Sequence, residues 1–172
     1  CAWLQGEGIG QGDRVAVMLP NIAAFPVAFL GIARAGAVQV NVNPLYTPRE
    51  LEHQLVDSGS QAIVIYADAL PTLAGILAKT PIRRVIVAPR PAAGDALGRG
   101  SGVPATIQGS VGINAALDAG AKLERKPVAI SGDDLLFLQY TGGTTGPSKG
   151  AALSHRNLVA ITEQFQGSMR LA

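Results

Sequence analysis

Apolar residues in this chain come in short blocks, separated by stretches of helical period or by glycine and proline. Arg14-Val-Ala-Val-Met-Leu19, Ala37-Val-Gln-Val-Asn-Val42, Ala62-Ile-Val-Ile-Tyr66, Arg84-Val-Ile-Val-Ala88 and Leu135-Leu-Phe-Leu-Gln-Tyr140 are short, mainly apolar runs. Such runs predict strands buried on both faces. Between them, Asn21 to Gly36 predicts a helix with Asn21 as N-cap and Gly36 near its stop. Thr47-Pro48-Arg49-Glu50 has the form of a capping box, with Thr at N-cap, Pro at N1 and Glu at N3. The helix it opens runs to about Asp57 and stops at Gly59, with Leu51, Leu55 and Gln54 on its inner face. Further helices are predicted over Leu70 to Ala78 and Ile113 to Ala119. Ser154 caps a last one, whose first turn holds His155, Arg156 and Asn157.

Strand followed by helix, repeated, predicts an α/β fold of βαβ units with a mainly parallel sheet covered on both faces. Three stretches are expected. Residues 1–88 form the βαβ region and residues 89–130 a loop-rich connection. Residues 131–172 read as strand, loop, strand and helix. Ser131, Asp133 and Asp134 make the turn before the last long strand. Residues 89–104, rich in Gly, Pro, Ala and Arg, read as an exposed loop.

The densest chemistry lies in Tyr140-Thr-Gly-Gly-Thr-Thr-Gly-Pro-Ser-Lys-Gly-Ala151. Glycines Gly142, Gly143, Gly146 and Gly150 let the backbone approach a ligand and turn freely. Successive N–H groups can then line one anion-binding concavity. Thr141, Thr144, Thr145 and Ser148 add hydroxyls, and Lys149 adds a placed positive charge. Pro147 fixes φ locally. This suits a polyphosphate. It is not the Walker loop, because Ser148 precedes Lys149 and Gly150 follows it. Nor is it the Gly-x-Gly-x-x-Gly turn of a dinucleotide fold. Ala151 to Ser154 is too short and apolar to open a helix, so it reads as a strand. The grip is therefore strand–loop–strand; the plain alternative is a glycine-rich hairpin with no ligand.

Tyr140 to Gly150, followed by Ala-Ala-Leu-Ser-His-Arg-Asn-Leu158, resembles the phosphate-loop signature of the adenylate-forming superfamily. That superfamily comprises acyl-CoA synthetases, luciferases and peptide-synthetase adenylation domains. Its usual form has Ser where this chain has Gly143, and commonly Pro where it has Ser148. The Gln-Tyr-Thr-Gly-Gly-Thr-Thr-Gly form is similar to bacterial long-chain fatty-acid–CoA ligases. So is Arg34-Ala-Gly-Ala-Val-Gln-Val-Asn-Val-Asn-Pro-Leu-Tyr-Thr-Pro-Arg-Glu-Leu-Glu-His-Gln-Leu55. The resemblance is weakest from about Pro89 to Lys126.

The resemblance implies part of a large N-terminal AMP-binding domain. It implies a ligase that uses ATP, Mg²⁺ and coenzyme A to activate a long-chain fatty acid through an acyl-adenylate. The nucleotide would be held by Tyr140, Thr141, Gly142, Gly143, Thr144, Thr145, Gly146, Pro147, Ser148, Lys149, Gly150 and Ala151. Lys149 would face the β- and γ-phosphates, and Thr141 would also touch Mg²⁺. The family's aromatic-Gly-x-Thr-Glu motif, ribose-binding Asp, hinge and C-terminal lysine are not found within these residues. The chain therefore reads as a fragment with no catalytic residue of its own and no ligase activity alone. Alternatives are another carboxylate–CoA ligase, a non-catalytic ATP-binding remnant, or a plain α/β scaffold.

Composition adds limits. The chain has 172 residues, 48% apolar and 15% charged, with a net charge of +2. That charge gives no footprint for nucleic acid. The local excess of Arg83, Arg84, Arg90, Arg99, Lys122, Arg125 and Lys126 reads as a solvated loop. Contact with a membrane surface, for an enzyme handling lipids, is the alternative. Cys1 is the single cysteine, which excludes an internal disulfide and suits the cytoplasm. The longest apolar stretch, Ile22 to Ala33, contains Pro26 and Gly31 and is too short to span a bilayer. His155 reads as a structural helix-start residue, His53 as a solvated one, and Asn43, Pro44 and Tyr46 as a turn.

Overall fold

The computed structural model describes residues 1–104, 106–141 and 148–169. Its strands are β1 (Arg14–Met18), β2 (Val38–Asn41), β3 (Ala62–Tyr66), β4 (Arg84–Ala88), β5 (Val111–Gly112), β6 (Leu135–Thr141) and β7 (Lys149–Ser154). Its α-helices are α1 (Ala2–Gly6), α2 (Ala24–Arg34), α3 (Pro48–Ser58), α4 (Leu70–Ala74), α5 (Ile113–Gly120) and α6 (His155–Met169). The strands form one sheet in the order β5-β4-β3-β1-β2-β6-β7. All neighbours run parallel except β6 and β7.

Parallel strands need crossovers, and the crossovers cover both faces of the sheet. On one face Leu51 and Leu55 of α3 and Leu70 and Leu73 of α4 pack on Met18, Val40, Ile63, Ile65 and Val87. On the other, Ala24, Ala28 and Ile32 of α2 and Ile113 of α5 pack on Val15, Val17, Val64 and Ile86. The four central strands therefore lack the alternation of a half-exposed sheet: Val15 to Met18 and Ala62 to Ile65 are all buried.

The capping box at the start of α3 is complete. Glu50 N–H donates to Thr47 Oγ1 and Thr47 N–H donates back to the Glu50 carboxylate at 2.8 Å. Gly59 closes the helix in the left-handed conformation, φ 60°. Ser154 forms a similar reciprocal cap with Asn157, which begins α6.

Three expectations need correction. Helix α2 is capped at Ala23, not at Asn21. With Asn21 as N-cap, Pro26 would stand beyond the first turn, where its missing N–H breaks the ladder. The chain turns first, with Ile22 N–H donating to Pro20 C=O at 2.8 Å, and Pro26 falls within the first turn. The helix expected over Leu70 to Ala78 ends at Ala74, followed by a 3₁₀ turn over Leu77–Lys79. Ile76 leaves helical geometry there, φ −127°, and buries its side chain. Within the loop-rich connection, β5 extends the sheet through Ile86↔Val111 and Val87↔Gly112. A pair of residues carries no period, so this strand had no signal. A Cβ at its Gly112 would lie 2.7 Å from Val103 Cγ2, so a larger residue there would displace Val103.

Three of the seven residues of the basic excess are paired with carboxylates. Arg84 pairs with Glu7 and Arg90 with Asp68, both at 2.5 Å, and Arg99 with Asp118 at 3.3 Å. No helix among the described residues is long and apolar enough to cross a membrane.

Candidate functional site

The glycine-rich segment joins β6 to β7, so the expected strand–loop–strand arrangement is present. Strand β6 runs parallel to β2, and the hairpin leaves the sheet at the C-terminal ends of the parallel strands. Ligands of parallel α/β sheets collect outside that edge. The last pairs before the loop are Tyr140↔Gly150 and Thr141↔Lys149. Directly opposed residues of an antiparallel pair project to the same face. The Thr141 and Lys149 side chains thus project to the same face at the mouth, and both residues are exposed.

The remaining expected ligands divide into two groups. Ser148, Gly150 and Ala151 are on the described hairpin, Ser148 half-buried and the other two exposed. Gly142, Gly143, Thr144, Thr145, Gly146 and Pro147 lie outside the described residues. Alternation along β6 turns the Tyr140 side chain to the opposite face from Thr141. There it packs with the α3 cluster, and its hydroxyl donates to Asp57 Oδ2 at 2.5 Å. Burial, and then the Asp57 carboxylate, push the Tyr140 hydroxyl well above the ordinary phenol range. The ring lies across Gly150, where a Cβ would come within 3.0 Å of Tyr140 Cε2.

A row of amides leads to the same mouth on the other face. Gln39 Nε2 donates to Asn41 Oδ1 at 2.7 Å, and Asn41 Nδ2 to Gln139 Oε1 at 2.6 Å. From α3, Gln54 Nε2 donates to the Asn41 carbonyl at 2.7 Å. Gln39 and Gln54 are fully buried. These bonds cross from β2 to β6 and from α3 to β2, so they tie the hairpin's base to the centre of the fold.

Sequence reasoning missed Asp57, Asn41, Gln39 and Gln139 as parts of this site. The signal for three of them was present. Amides inside Val-Gln-Val-Asn-Val and Leu-Gln-Tyr conflict with strands otherwise built to be buried, and buried amides need partners. Asp57 was visible only as a carboxylate near a helix C-terminus, which the helix dipole disfavours. His155 begins α6, its N–H donating to Asp134 C=O at 3.1 Å, and His53 is exposed on α3. Asn43 accepts from Leu45 N–H at 3.0 Å in an Asx turn, which makes the segment after β2 a structural turn. Among the described residues no three metal-ligating side chains cluster.

Three comparisons bear on the site. The model of a family described as AMP-binding enzyme matches residues 1–171. A long-chain-fatty-acid–CoA ligase of Salmonella typhimurium is 43% identical over 95% of this chain, and the match covers 31% of that protein. A 4-coumarate–CoA ligase-like protein of Oryza sativa subsp. japonica is 34% identical over 92% of the chain and 26% of that protein. The crystal structure of a long-chain-fatty-acid-CoA ligase from Archaeoglobus fulgidus superposes with a TM-score of 0.78 at 26% identity. That match covers 99% of this chain and 31% of the other. The chain thus spans about a third of the length of the relatives it matches.

Proposed function

The chain belongs to the AMP-binding enzyme family, and we propose that it supplies the triphosphate grip of a long-chain fatty-acid–CoA ligase. In that reaction a carboxylate oxygen attacks the α-phosphorus of ATP, and pyrophosphate leaves. Coenzyme A then attacks the acyl carbon as thiolate, and AMP leaves. The work of these residues is electrostatic and positional. Lys149 neutralises β- and γ-phosphate oxygens and the charge that grows on the departing pyrophosphate. Thr141 donates its hydroxyl beside it, and Thr144, Thr145 and the glycine N–H groups complete the cradle.

The observation that carries this reading is the Thr141↔Lys149 pair at the mouth of a glycine-rich hairpin, on the ligand-collecting edge of the sheet. A magnesium ion would be held chiefly by the nucleotide's own phosphates, with one hydroxyl from Thr141. The described part of the chain offers no carboxylate cluster for it.

The test is Lys149→Ala in the complete protein. We expect kcat/KM for ATP to fall about 100-fold, the scale for removing one placed electrostatic donor. The KM for the fatty acid should stay close to that of the wild type. Unchanged ATP kinetics would remove the phosphate role. A different acid class is the second reading, favoured by the 34% identical rice relative. Acids of graded chain length and ring content, assayed side by side, separate the two.

A further inference from the structure

We propose that Asp57 is a positioning residue that seats the phosphate hairpin through Tyr140. The inference rests on the reading of Lys149 and Thr141 as phosphate ligands. It assigns to α3 a part in the site that its position outside the glycine-rich segment conceals.

Helix α3 ends at Ser58, its last turn carries no basic residue, and Asp57 is its penultimate residue. Carbonyl groups with no intrahelical partner gather at that end, and a carboxylate there meets their negative field. A local rule broken in this way calls for a compensating contact. The contact is Tyr140 Oη, which donates to Asp57 Oδ2 at 2.5 Å across 83 residues of sequence. A hydroxyl donating to an ionised carboxylate is among the stronger hydrogen bonds. A phenol keeps its proton at neutral pH, so Tyr140 is the donor of this bond.

The bond holds more than one side chain. Tyr140 is 8% exposed, and its ring lies across Gly150, where a Cβ would be 3.0 Å from Cε2 and 3.2 Å from Cζ. Tyr140 directly precedes Thr141, and Gly150 directly follows Lys149. Fixing the ring therefore fixes the two backbone segments that carry the proposed ligands. The hairpin needs such a clamp. Among the described residues β7 has β6 as its only strand neighbour, and five of its six residues are exposed. The other side of the clamp is rigid. The capping box holds one end of α3, Gln54 ties its middle to Asn41 C=O at 2.7 Å, and Leu51 and Leu55 are fully buried. Asp57 is thus the point where a stiff helix grips a glycine-rich hairpin.

The experiment compares Asp57→Leu, Asp57→Asn, Tyr140→Phe and the Asp57→Leu/Tyr140→Phe double variant with Lys149→Ala, in the complete protein. Losing the bond should raise the KM for ATP roughly tenfold, the scale of one charge-assisted hydrogen bond. The KM for the acid should hold within about twofold, since only one subsite is displaced. The double variant should be no worse than either single change, because both remove the same bond. Asp57→Asn, which keeps an uncharged acceptor, should fall in between. If Asp57→Leu does not fold, Tyr140→Phe decides, because it deletes one oxygen and keeps the ring. Normal ATP kinetics in Tyr140→Phe, with Lys149→Ala impaired, would overturn the role of Asp57 and leave the phosphate reading standing. Equal losses for ATP and acid would also overturn it, since they mark general loosening. No effect of Lys149→Ala would remove the phosphate reading and this inference together.

Discussion

Gly150 and Tyr140 face each other across the last rungs of the hairpin, and the ring of one sets the room left for the other. A methyl group at Gly150 would meet Tyr140 Cε2 at 3.0 Å. The ring cannot swing aside freely, because its hydroxyl is bonded to Asp57. Two effects oppose each other in Gly150→Ala. The strand gains roughly 0.5–1 kcal/mol from a stiffer backbone, while overpacking costs about 1–3 kcal/mol. Overpacking should win, so Gly150→Ala should lower the melting temperature of the complete protein. A higher melting temperature would show that the ring yields. Read from sequence, Gly150 belonged to the loop's conformational freedom. The structure gives it a second reason, cross-strand contact, which no local pattern reveals.

Among the elements, α3 was the most legible in advance. Thr47, Pro48, Glu50 and Gly59 are local stop and start signals, and each does in the structure what its type dictates. Thr47→Ala should destabilise the protein by about 1 kcal/mol, read as a lower denaturation midpoint with an unchanged slope. An unchanged midpoint would mean that packing of Leu51 and Leu55 alone holds the first turn. The start of α2 was less legible, because Asn21 and the true cap at Ala23 compete. Pro26 decides between them by its missing N–H, a constraint three residues into the helix. Strand β5 was illegible, since it exists only as a partner for β4.

At the scale of the molecule, one side of the fold is covered far less well than the centre. No residue of α6 is buried, and Val159, Ile161, Phe165 and Met169 are each more than half exposed. Leu135 and Leu153 add exposed apolar surface on β6 and β7. Soluble monomers rarely leave such surface uncovered. Residues 1–172 purified by themselves should therefore bind a hydrophobic dye such as ANS and self-associate as concentration rises. A monomer that fails to bind the dye would show that this surface is covered in solution. The apolar residues of α6 were plain in the sequence. That they have no partner among the described residues was not, because burial depends on what the rest of the fold reaches.

Sequence alone determined the strands of the central sheet, the capped helix α3 and the composition of the phosphate segment. Each of these depends on interactions within a few residues: side-chain periodicity, caps, and glycine's freedom of φ. Tertiary structure alone decided the strand order that puts β6 beside β2, the pairing of Thr141 with Lys149 across the hairpin, and the bond from Tyr140 to Asp57. The strand order and the Tyr140 bond depend on which distant segments share a face of the sheet, and the Thr141–Lys149 pairing on the register in which the hairpin closes. Position along the chain does not specify that until the crossovers close and the two cores form.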